Sequence, residues 1–394
     1  MSLKQYVFQP FKFQTIHSSN EVFTLPIGIT DGIVCTDNYL ITYEGSSALK
    51  SSVNIWKFFF DSSKWRRVRC KGVPQELSSF SVLLSGSLII LYGIPHAPVS
   101  NNRVYCGNLD HENKPVEMAM KEIEICGSLP EPRKECAQGV VLDGKNIFVV
   151  GGAPGNETEL DVFQLDLVNK SWIQLYSAYE ESDLVRDSHQ IVFYNDRLFM
   201  FNSRPSTNDV PYNFSKIHTF DLMTNEWEIF PAKPDYSAPL AGYPINRNGQ
   251  NCVQCPKNKN FVYLCGGHNS QKALYDMWLL DLNTIQWKYL PKCIMPVAIF
   301  NSHSMAVSTN GRLCCYGGRF DGDSVTDGFT NNITTGWMVI PKLEVICWEA
   351  VVFYFKDQMV ASTREELKEL GLPIKCYNRM VEAKSAGTFY SLSI

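Results

Sequence analysis

Cysteine and histidine are among the residues of this chain that could bind a metal ion or act as nucleophiles. The 394 residues include 13 Cys and 7 His, scattered along the chain. One close pair stands out, Cys252-Val253-Gln254-Cys255, but no second pair follows at the spacing of a zinc site. Side chains three positions apart on a strand also point to opposite faces. We therefore expect no metal site and no cofactor.

Sequence motifs for catalysis are missing as well. The chain has no Gly-x-Ser-x-Gly nucleophile elbow and no phosphate-binding P-loop. It also has no dinucleotide-binding glycine fingerprint and no His-Glu-x-x-His. We predict that the protein is not an enzyme.

Composition and charge indicate a globular protein with a substantial core. Hydrophobic residues make up 45%, charged residues 19%, and the net charge is −4, so no basic field predicts binding to nucleic acid. No apolar run reaches the ~20 residues that a membrane-spanning helix needs. The first residues do not resemble a secretory signal, and the cysteines lack disulfide-like spacing. We expect a cytoplasmic or nuclear protein that binds neither nucleic acid nor membranes.

A repeat supplies the elements that would position any site. Each strong copy is a strand-like apolar run that ends in two glycines, with a tryptophan 19 or 20 residues later. The strong copies are residues 147–152 with Trp172, residues 261–267 with Trp287, and residues 313–318 with Trp337. Weaker copies begin at residues 40, 88 and 198, and in the second of these a charged insertion at 111–121 replaces the tryptophan. The sequence therefore contains six units of about 50 residues.

Each unit is expected to form a four-stranded sheet. The glycine pair allows a tight backbone turn near a crowded centre, and the tryptophan on the fourth strand packs against the next sheet. Because one such sheet cannot bury both of its faces, the units must stack in a ring. The pattern resembles the kelch repeat over residues 20–341 and implies an all-β fold, a six-bladed kelch β-propeller followed by a short C-terminal α-helical segment.

The N-terminal residues 1–19 are expected to supply a strand that helps to close this ring. Aromatic residues alternate there in the way that a strand requires. They are Tyr6, Phe8, Phe11 and Phe13.

After residue 340 the sequence changes to a strongly apolar helix. Residues 343–355 contain only two polar side chains, those of Glu344 and Glu349. One face carries Leu343, Cys347, Val351 and Tyr354, and the adjacent stripe carries Ile346, Ala350 and Phe353. A helix that is apolar nearly all round must be covered on more than one side. We predict that the first face binds another protein and the stripe faces the propeller; alternatively, the helix only packs under the propeller.

A second helix is signalled a few residues later. Thr363-Arg364-Glu365-Glu366 has the form of a capping box, and Gly371 with Pro373 supplies a stop. A third short segment covers residues 372–380. Residues 381–394 are expected to be a loose C-terminus.

Two patterns in this tail carry a more specific resemblance. The spacing of Leu343, Cys347 and Val351 resembles the elongin-binding box of cullin-RING ubiquitin ligase receptors, whose Leu enters a pocket on elongin C. The cullin-selecting box that favours cullin 2 is matched by Leu372, Pro373, Cys376 and Met380. In this order, directly after a kelch domain, the chain resembles the kelch-repeat substrate receptors of cullin-2 RING ubiquitin ligases.

The resemblance implies that different segments of the chain bind different partners. Residues 20–341 would bind a degron on one propeller face, and residues 342–380 would recruit elongin C, with elongin B, and cullin 2. The expected function is therefore that of a substrate-recognition subunit. One alternative is a kelch scaffold for cytoskeletal or signalling partners, with a structural tail. A second, a kelch-type copper oxidase, would need a Tyr-Cys-His constellation that we do not identify.

The resemblance also implies a pocket for the free C-terminus of a degron. Arginine pairs a carboxylate best, through two hydrogen bonds. In the family the carboxylate-binding Arg follows the glycine pair of the fourth unit, the position of Arg204, and Asn248 matches an assisting polar residue. Further candidates on loops of the same face are Arg133, Arg186, Arg247, His268 and Arg319. A different terminus or an internal segment is the alternative ligand.

Overall fold

A computed structural model describes most of the chain, as 25 strands and two helices. The described residues are 5–18, 32–44, 54–73, 77–95, 102–109, 117–131, 139–152, 159–177, 189–202, 214–238, 241–269, 272–296, 299–320, 332–373 and 376–379. The first strands are β1 (Gln14–Ile16), β2 (Ile33–Cys35), β3 (Tyr39–Glu44), β4 (Asn54–Phe59), β5 (Lys64–Lys71), β6 (Leu77–Ser85), β7 (Leu88–Pro95), β8 (Arg103–Asn108) and β9 (Glu117–Glu122). The next are β10 (Cys126–Gly127), β11 (Gly139–Asp143), β12 (Asn146–Gly152), β13 (Glu159–Asp166), β14 (Ser171–Tyr176), β15 (His189–Tyr194), β16 (Arg197–Asn202), β17 (Lys216–Asp221) and β18 (Glu226–Pro231). The last are β19 (Asn251–Gln254), β20 (Phe261–Cys265), β21 (Met277–Asp281), β22 (Gln286–Tyr289), β23 (Ile299–Val307), β24 (Arg312–Phe320) and β25 (Ile333–Trp337).

These strands confirm an all-β, propeller-like fold but correct the number of separate blades. Among the described residues, four sheets have blade size, with the orders β1-β25-β24-β23, β10-β14-β13-β12-β11, β15-β16-β17-β18 and β19-β20-β21-β22. A fifth sheet has eight strands in the order β2-β3-β4-β5-β9-β8-β7-β6. It is continuous because Arg69 to Lys71 of β5 pair in parallel with Glu117 to Ala119 of β9. The prediction of six separate sheets is therefore wrong.

The innermost strands nevertheless follow one another in a closed cycle. Each of these strands contacts the next, in the order β2, β6, β11, β15, β19 and β23, and β23 contacts β2 again. Apolar clusters fill the spaces between sheets, as where Phe201 and Leu264 pack with Trp287. The first and last sheets meet where the rings of Trp65 and Tyr316 lie 5.3 Å apart. Each sheet is thus stabilised by its neighbours on both faces.

In three of the sheets the turn after the third strand shares one chemistry. An aspartate ends the strand, and its carboxylate accepts hydrogen bonds from backbone N–H groups of the turn. This is seen at Asp166 with Val168, at Asp221 with Met223, and at Asp281 with Asn283. A residue with positive φ closes each turn, as Lys170, Asn225 and Ile285 do. Asp166, Asp221 and Asp281 are therefore turn-forming residues.

In the fifth unit the glycine and tryptophan of the repeat, Gly267 and Trp287, act as the sequence predicts. Gly267 has a φ of +83°, and a Cβ there would lie 2.5 Å from the carbonyl oxygen of Asn248. On the fourth strand of that sheet, Trp287 is fully buried and donates its Nε1–H to the carbonyl of Phe214 at 2.8 Å. Phe214 precedes a strand of the neighbouring sheet. Trp287 therefore joins adjacent sheets by a hydrogen bond as well as by packing.

Two details of the sheets differ from expectation. The N-terminal strand β1 begins after the aromatic alternation and pairs with β25, Gln14 opposite Thr335. Because β1 supplies the outer strand of the last sheet, Trp337 lies on the third strand rather than the fourth. The insertion at 111–121 also contributes the start of β9, which is the outer strand of its own unit.

Two helices form the tail, α1 (Leu343–Ala361) and α2 (Arg364–Glu369). The short C-terminal helical segment is thus confirmed, and α1 runs six residues beyond the predicted apolar stretch. The capping box at α2 is present: Thr363 accepts from the backbone of Glu366, whose side chain accepts from the backbone of Thr363. Neither helix of the described tail is long and apolar enough to cross a membrane.

Candidate functional site

Helix α1 rests on the propeller through Trp348. This side chain is only 5% exposed, and its Nε1–H donates to Oδ2 of Asp61 at 3.0 Å. Asp61 follows β4, in the turn to β5, so the contact reaches the first propeller sheet. Around Trp348 pack the residues Val351, Val352, Leu367, Leu372, Cys376 and Tyr377. One face of the helix is therefore covered by its own chain.

The stripe predicted to face the propeller is not the one that does so. Phe353 is about half exposed, and Ile346 and Ala350 are half-buried, whereas Trp348 is buried. The prediction was wrong because both faces are apolar, and the hydrogen bond to Asp61 selects Trp348.

The opposite face of α1 is exposed in the single chain, although the Tyr354 hydroxyl on it accepts a hydrogen bond from the backbone of Tyr6. Leu343 is 74% exposed, Cys347 is exposed, and Tyr354 is about half exposed. Val351, predicted for the same face, is half-buried and packs at its edge against the Trp348 cluster. The structure thus brings the three predicted elongin-binding residues onto one helix, two of them open to solvent and the third at the rim.

Residues of the predicted cullin-binding box lie beside this helix. Leu372 and Cys376 are half-buried in the cluster around Trp348, and Pro373 is exposed. Met380 lies outside the described residues. The two halves of the tail therefore share one apolar cluster.

A second polar contact holds α1 on its other flank. Glu349 pairs with Arg312 of β24 and accepts a hydrogen bond from the Tyr6 hydroxyl at 3.0 Å. Burial and the neighbouring Glu349 carboxylate raise the pKa of Tyr6 above its ordinary value, so this hydroxyl keeps its proton. The backbone N–H of Tyr6 also donates to the Tyr354 hydroxyl at 2.8 Å. The N-terminal segment thus contacts the tail.

On the loop face, Arg247 proves to be a buried structural residue. Its guanidinium is fully buried, and its two terminal nitrogens lie 2.7 Å from the two carboxylate oxygens of Asp276. It also donates to the carbonyl oxygens of Ile245 and Gly266. Asp276 therefore already fills the carboxylate-binding edge of this arginine.

Asn248 and His268 lie side by side on the same loops. Their backbones exchange two hydrogen bonds of 2.8 Å in an antiparallel bridge. The Oδ1 atom of Asn248 is buried and has no hydrogen-bond partner among the described residues. A buried acceptor without a donor is costly, so this oxygen needs a hydrogen-bond donor that the described residues do not supply.

The remaining candidate arginines are less fully described. Arg133, Arg186 and Arg204 lie outside the described residues. The backbone of Arg319 is in β24, opposite Asn301. The structure thus brings Arg247, Asn248 and His268 together and leaves the other positions as predictions.

The cysteine pair of the fifth unit lies in the core. Cys252 and Cys255 are both buried, and burial raises the pKa of the Cys252 thiol above its ordinary value. Over the part of the chain that the structure describes, no group of three or more His, Cys, Asp or Glu side chains is arranged to hold a metal ion.

Sequence reasoning missed the residues that hold the tail in place. Asp61, Arg312 and Arg379 are separated in sequence from their partners by up to 318 positions, and no local pattern marks them. Asp276 carried a usable signal. It stands just before the Met277–Asp281 strand of a strong repeat copy, where a buried carboxylate can meet the arginine that enters the same unit.

Comparison with known proteins gives the family. Residues 13–202 match the family model described as the KLHDC2/KLHL20/DRC7 Kelch-repeats domain. Kelch domain-containing protein 10 of Xenopus tropicalis is 30% identical over 332 residues, covering 83% of this chain and 76% of the relative. The Homo sapiens protein of that name is 28% identical, covering 81% and 69%, and the Drosophila melanogaster homolog is 26% identical, covering 83% and 55%. The chain belongs to the kelch-repeat family and is related to Kelch domain-containing protein 10.

Proposed function

We propose that this protein is the substrate-recognition subunit of a ubiquitin ligase built on elongin B, elongin C and cullin 2. The observation that carries the proposal is the free face of α1, where Leu343 is 74% exposed and Cys347 is exposed while Trp348 is buried against the propeller. An apolar helix face of this kind suits the groove of a partner protein. Its Leu and Cys have the spacing of an elongin-binding box.

We also propose that the propeller has six blades. The eight-stranded sheet divides into two four-stranded halves, β2 to β5 and β6 to β9. Its two end strands, β2 and β6, both belong to the closed cycle of six innermost strands. The parallel pairing of β5 with β9 joins two outer strands and leaves this cycle unchanged.

The two sites would lie at opposite ends of the strands. Asp61 and Arg312, which contact the tail, sit at the turns after third and first strands. Asn248 and His268 sit at the other end, where second strands finish and first strands begin. Such a receptor performs no chemistry; it raises the effective concentration of a substrate lysine at a ubiquitin-charged enzyme. We place this activity in the cytoplasm or the nucleus.

The ligand of the loop face is proposed to be a protein C-terminus. Arg204 would pair its carboxylate, and the unpartnered Oδ1 of Asn248 would accept a backbone N–H of the peptide. His268, Arg133, Arg186 and Arg319 remain candidates for the same surface. Arg247 would act indirectly, because its guanidinium is already paired with Asp276.

A scaffold role is the second candidate. One observation favours it: the tail is anchored to the propeller by Trp348 and by the ion pair of Arg312 with Glu349. A purely structural tail would need only these contacts. It would give no reason for an exposed Leu343.

Copurification with elongin B/C tests the proposal. Leu343→Ala combined with Cys347→Phe should weaken binding by about 100-fold or more, because an anchor is shortened and a bulky ring is placed at a close contact. Leu370→Ala is the matched control, since Leu370 is also 73% exposed and lies in the tail. Binding of the folded double variant at wild-type strength, or no binding by the wild type, would contradict the proposal.

A further inference from the structure

Two neighbouring residues of α1 are each held by a charged cluster. The first, the Asp61 cluster, consists of Asp61, Trp348 and Arg379. Besides accepting from Trp348, the Asp61 carboxylate accepts two hydrogen bonds of 3.2 Å from the Arg379 guanidinium. That guanidinium also lies 5.1 Å from the centre of the Trp348 ring. One propeller carboxylate therefore binds both α1 and the segment after α2.

The second, the Glu349 cluster, consists of Glu349, Arg312 and Tyr6. The Arg312 guanidinium is fixed between two aromatic rings, 4.5 Å from the centre of Phe60 and 4.4 Å from that of Trp337. It is largely buried, so its pairing with Glu349 is shielded from water more than a surface ion pair is. The propeller thus offers an immobilised cation at this point.

The two clusters have opposite polarity and different origins. In the Asp61 cluster the propeller supplies the negative charge, on Asp61, and in the Glu349 cluster it supplies the positive charge, on Arg312. Asp61 comes from the first propeller sheet and Arg312 from the last, so the clusters lie on the two sides of the seam where the ring closes. Consecutive helix residues point about 100° apart. Holding Trp348 and Glu349 together therefore fixes the rotation of α1 about its axis.

We propose that Asp61 and Arg312 are positioning residues that lock α1 in the one rotation that turns Leu343 and Cys347 away from the propeller. A helix that is apolar on both faces could otherwise settle with either face down. The inverted arrangement is excluded because it would break the hydrogen bond of Trp348 to Asp61 and separate the ion pair of Glu349 with Arg312. The role of the exposed face rests on the proposed function, whereas the locking itself does not.

Hydrogen exchange of the isolated full-length chain tests the locking without any partner. Asp61→Arg and Arg379→Asp should each speed exchange of the α1 amides by roughly tenfold or more, while β20 amides keep wild-type protection. The double variant Asp61→Arg/Arg379→Asp restores opposite charges between positions 61 and 379 but gives Trp348 no acceptor, so it should recover only part of the lost protection. If Asp61→Arg unfolds the propeller, Asp61→Asn takes its place.

Asp37→Asn is the matched control. Asp37 also lies in a turn of the first sheet and reaches the last sheet, where it accepts from Thr309 and Asn310, and none of its hydrogen bonds within the described residues is to the tail. Its loss should leave α1 exchange unchanged. Wild-type exchange of α1 in the single Asp61 variants, or no recovery in the double variant, would overturn the proposal. The two proposals can also be separated. If the variants exchange faster but the wild-type chain does not bind elongin B/C, the locking is supported and the proposed function is refuted.

Discussion

The two terminal nitrogens of Arg247 lie 2.7 Å from the carboxylate oxygens of Asp276, and the guanidinium is fully buried. Burial by itself would raise the pKa of Asp276, but the hydrogen bonds and charge of Arg247 outweigh it and hold the pKa below its ordinary value. Each charge of this pair depends on the other, because an unpaired buried charge is far costlier than a paired one. Arg247 is thus a stabilising residue beneath the loop face.

Asp276→Asn should therefore lower the free energy of unfolding by about 3 kcal/mol, since it leaves the buried Arg247 charge unpaired. Urea unfolding followed by tryptophan fluorescence measures this change. Glu122→Gln is the matched control: Glu122 pairs with Arg103 at the surface, and its loss should cost about 1 kcal/mol or less. Equal effects of the two substitutions would contradict the structural role of the buried pair.

The lowered pKa of Asp276 also predicts how the stability of the protein should change with pH. Because the folded-state pKa of Asp276 is lowered, its contribution is present above the unfolded-state pKa and is lost as the pH falls through the folded-state pKa. The stability difference between wild type and Asp276→Asn should therefore shrink in acid. A difference that stays constant down to low pH would argue against an ionised Asp276.

Helix α1 marks the limit of what local spacing can predict. The spacing of Leu343 and Cys347 correctly placed them on one face, and both are exposed. It could not say which side meets the propeller, because Trp348 finds Asp61 287 positions away in the chain. Periodicity tells which residues share a face, whereas long-range partners decide which face is buried.

For the strands, too, local features were predictable and long-range pairings were not. Glycine pairs and spaced tryptophans predicted the sheets well, since a tight turn and a buried ring have local sequence signals. The pairing of β1 with β25 and of β5 with β9 was not predictable in detail. Strands β1 and β25 are brought together by closure of the ring, and β5 and β9 by the contact of adjacent units. Neither pairing leaves a pattern in the sequences of the strands.

Taken together, the chain has a ring of sheets with a loop face at one end and an anchored helical tail at the other. Asn248 and His268 mark the described part of the loop face. The tail crosses the seam between the first and last sheets and leaves Leu343 and Cys347 open. This arrangement suits a protein that holds one partner on each end.

Peptide binding tests the proposed use of the loop face. Peptides with a free C-terminus, selected from a random library, should lose most of their affinity when the terminus is amidated, because the carboxylate no longer pairs with arginine. Arg204→Glu should have the same effect, whereas Arg69→Glu, the same charge change at an exposed position of β5, should not. Equal binding of amidated and free-acid peptides, measured by fluorescence anisotropy, would exclude a carboxylate-reading site.

The most direct test of the central claim follows the alkylation of cysteines in the wild-type chain, with and without elongin B/C. Among the described cysteines only Cys126 and Cys347 are exposed, and Cys126 lies on a propeller strand away from the tail. If elongin C docks on the free face of α1, Cys347 should become strongly protected from iodoacetamide while Cys126 reacts at its original rate. Unchanged alkylation of Cys347 at saturating elongin B/C would contradict the account.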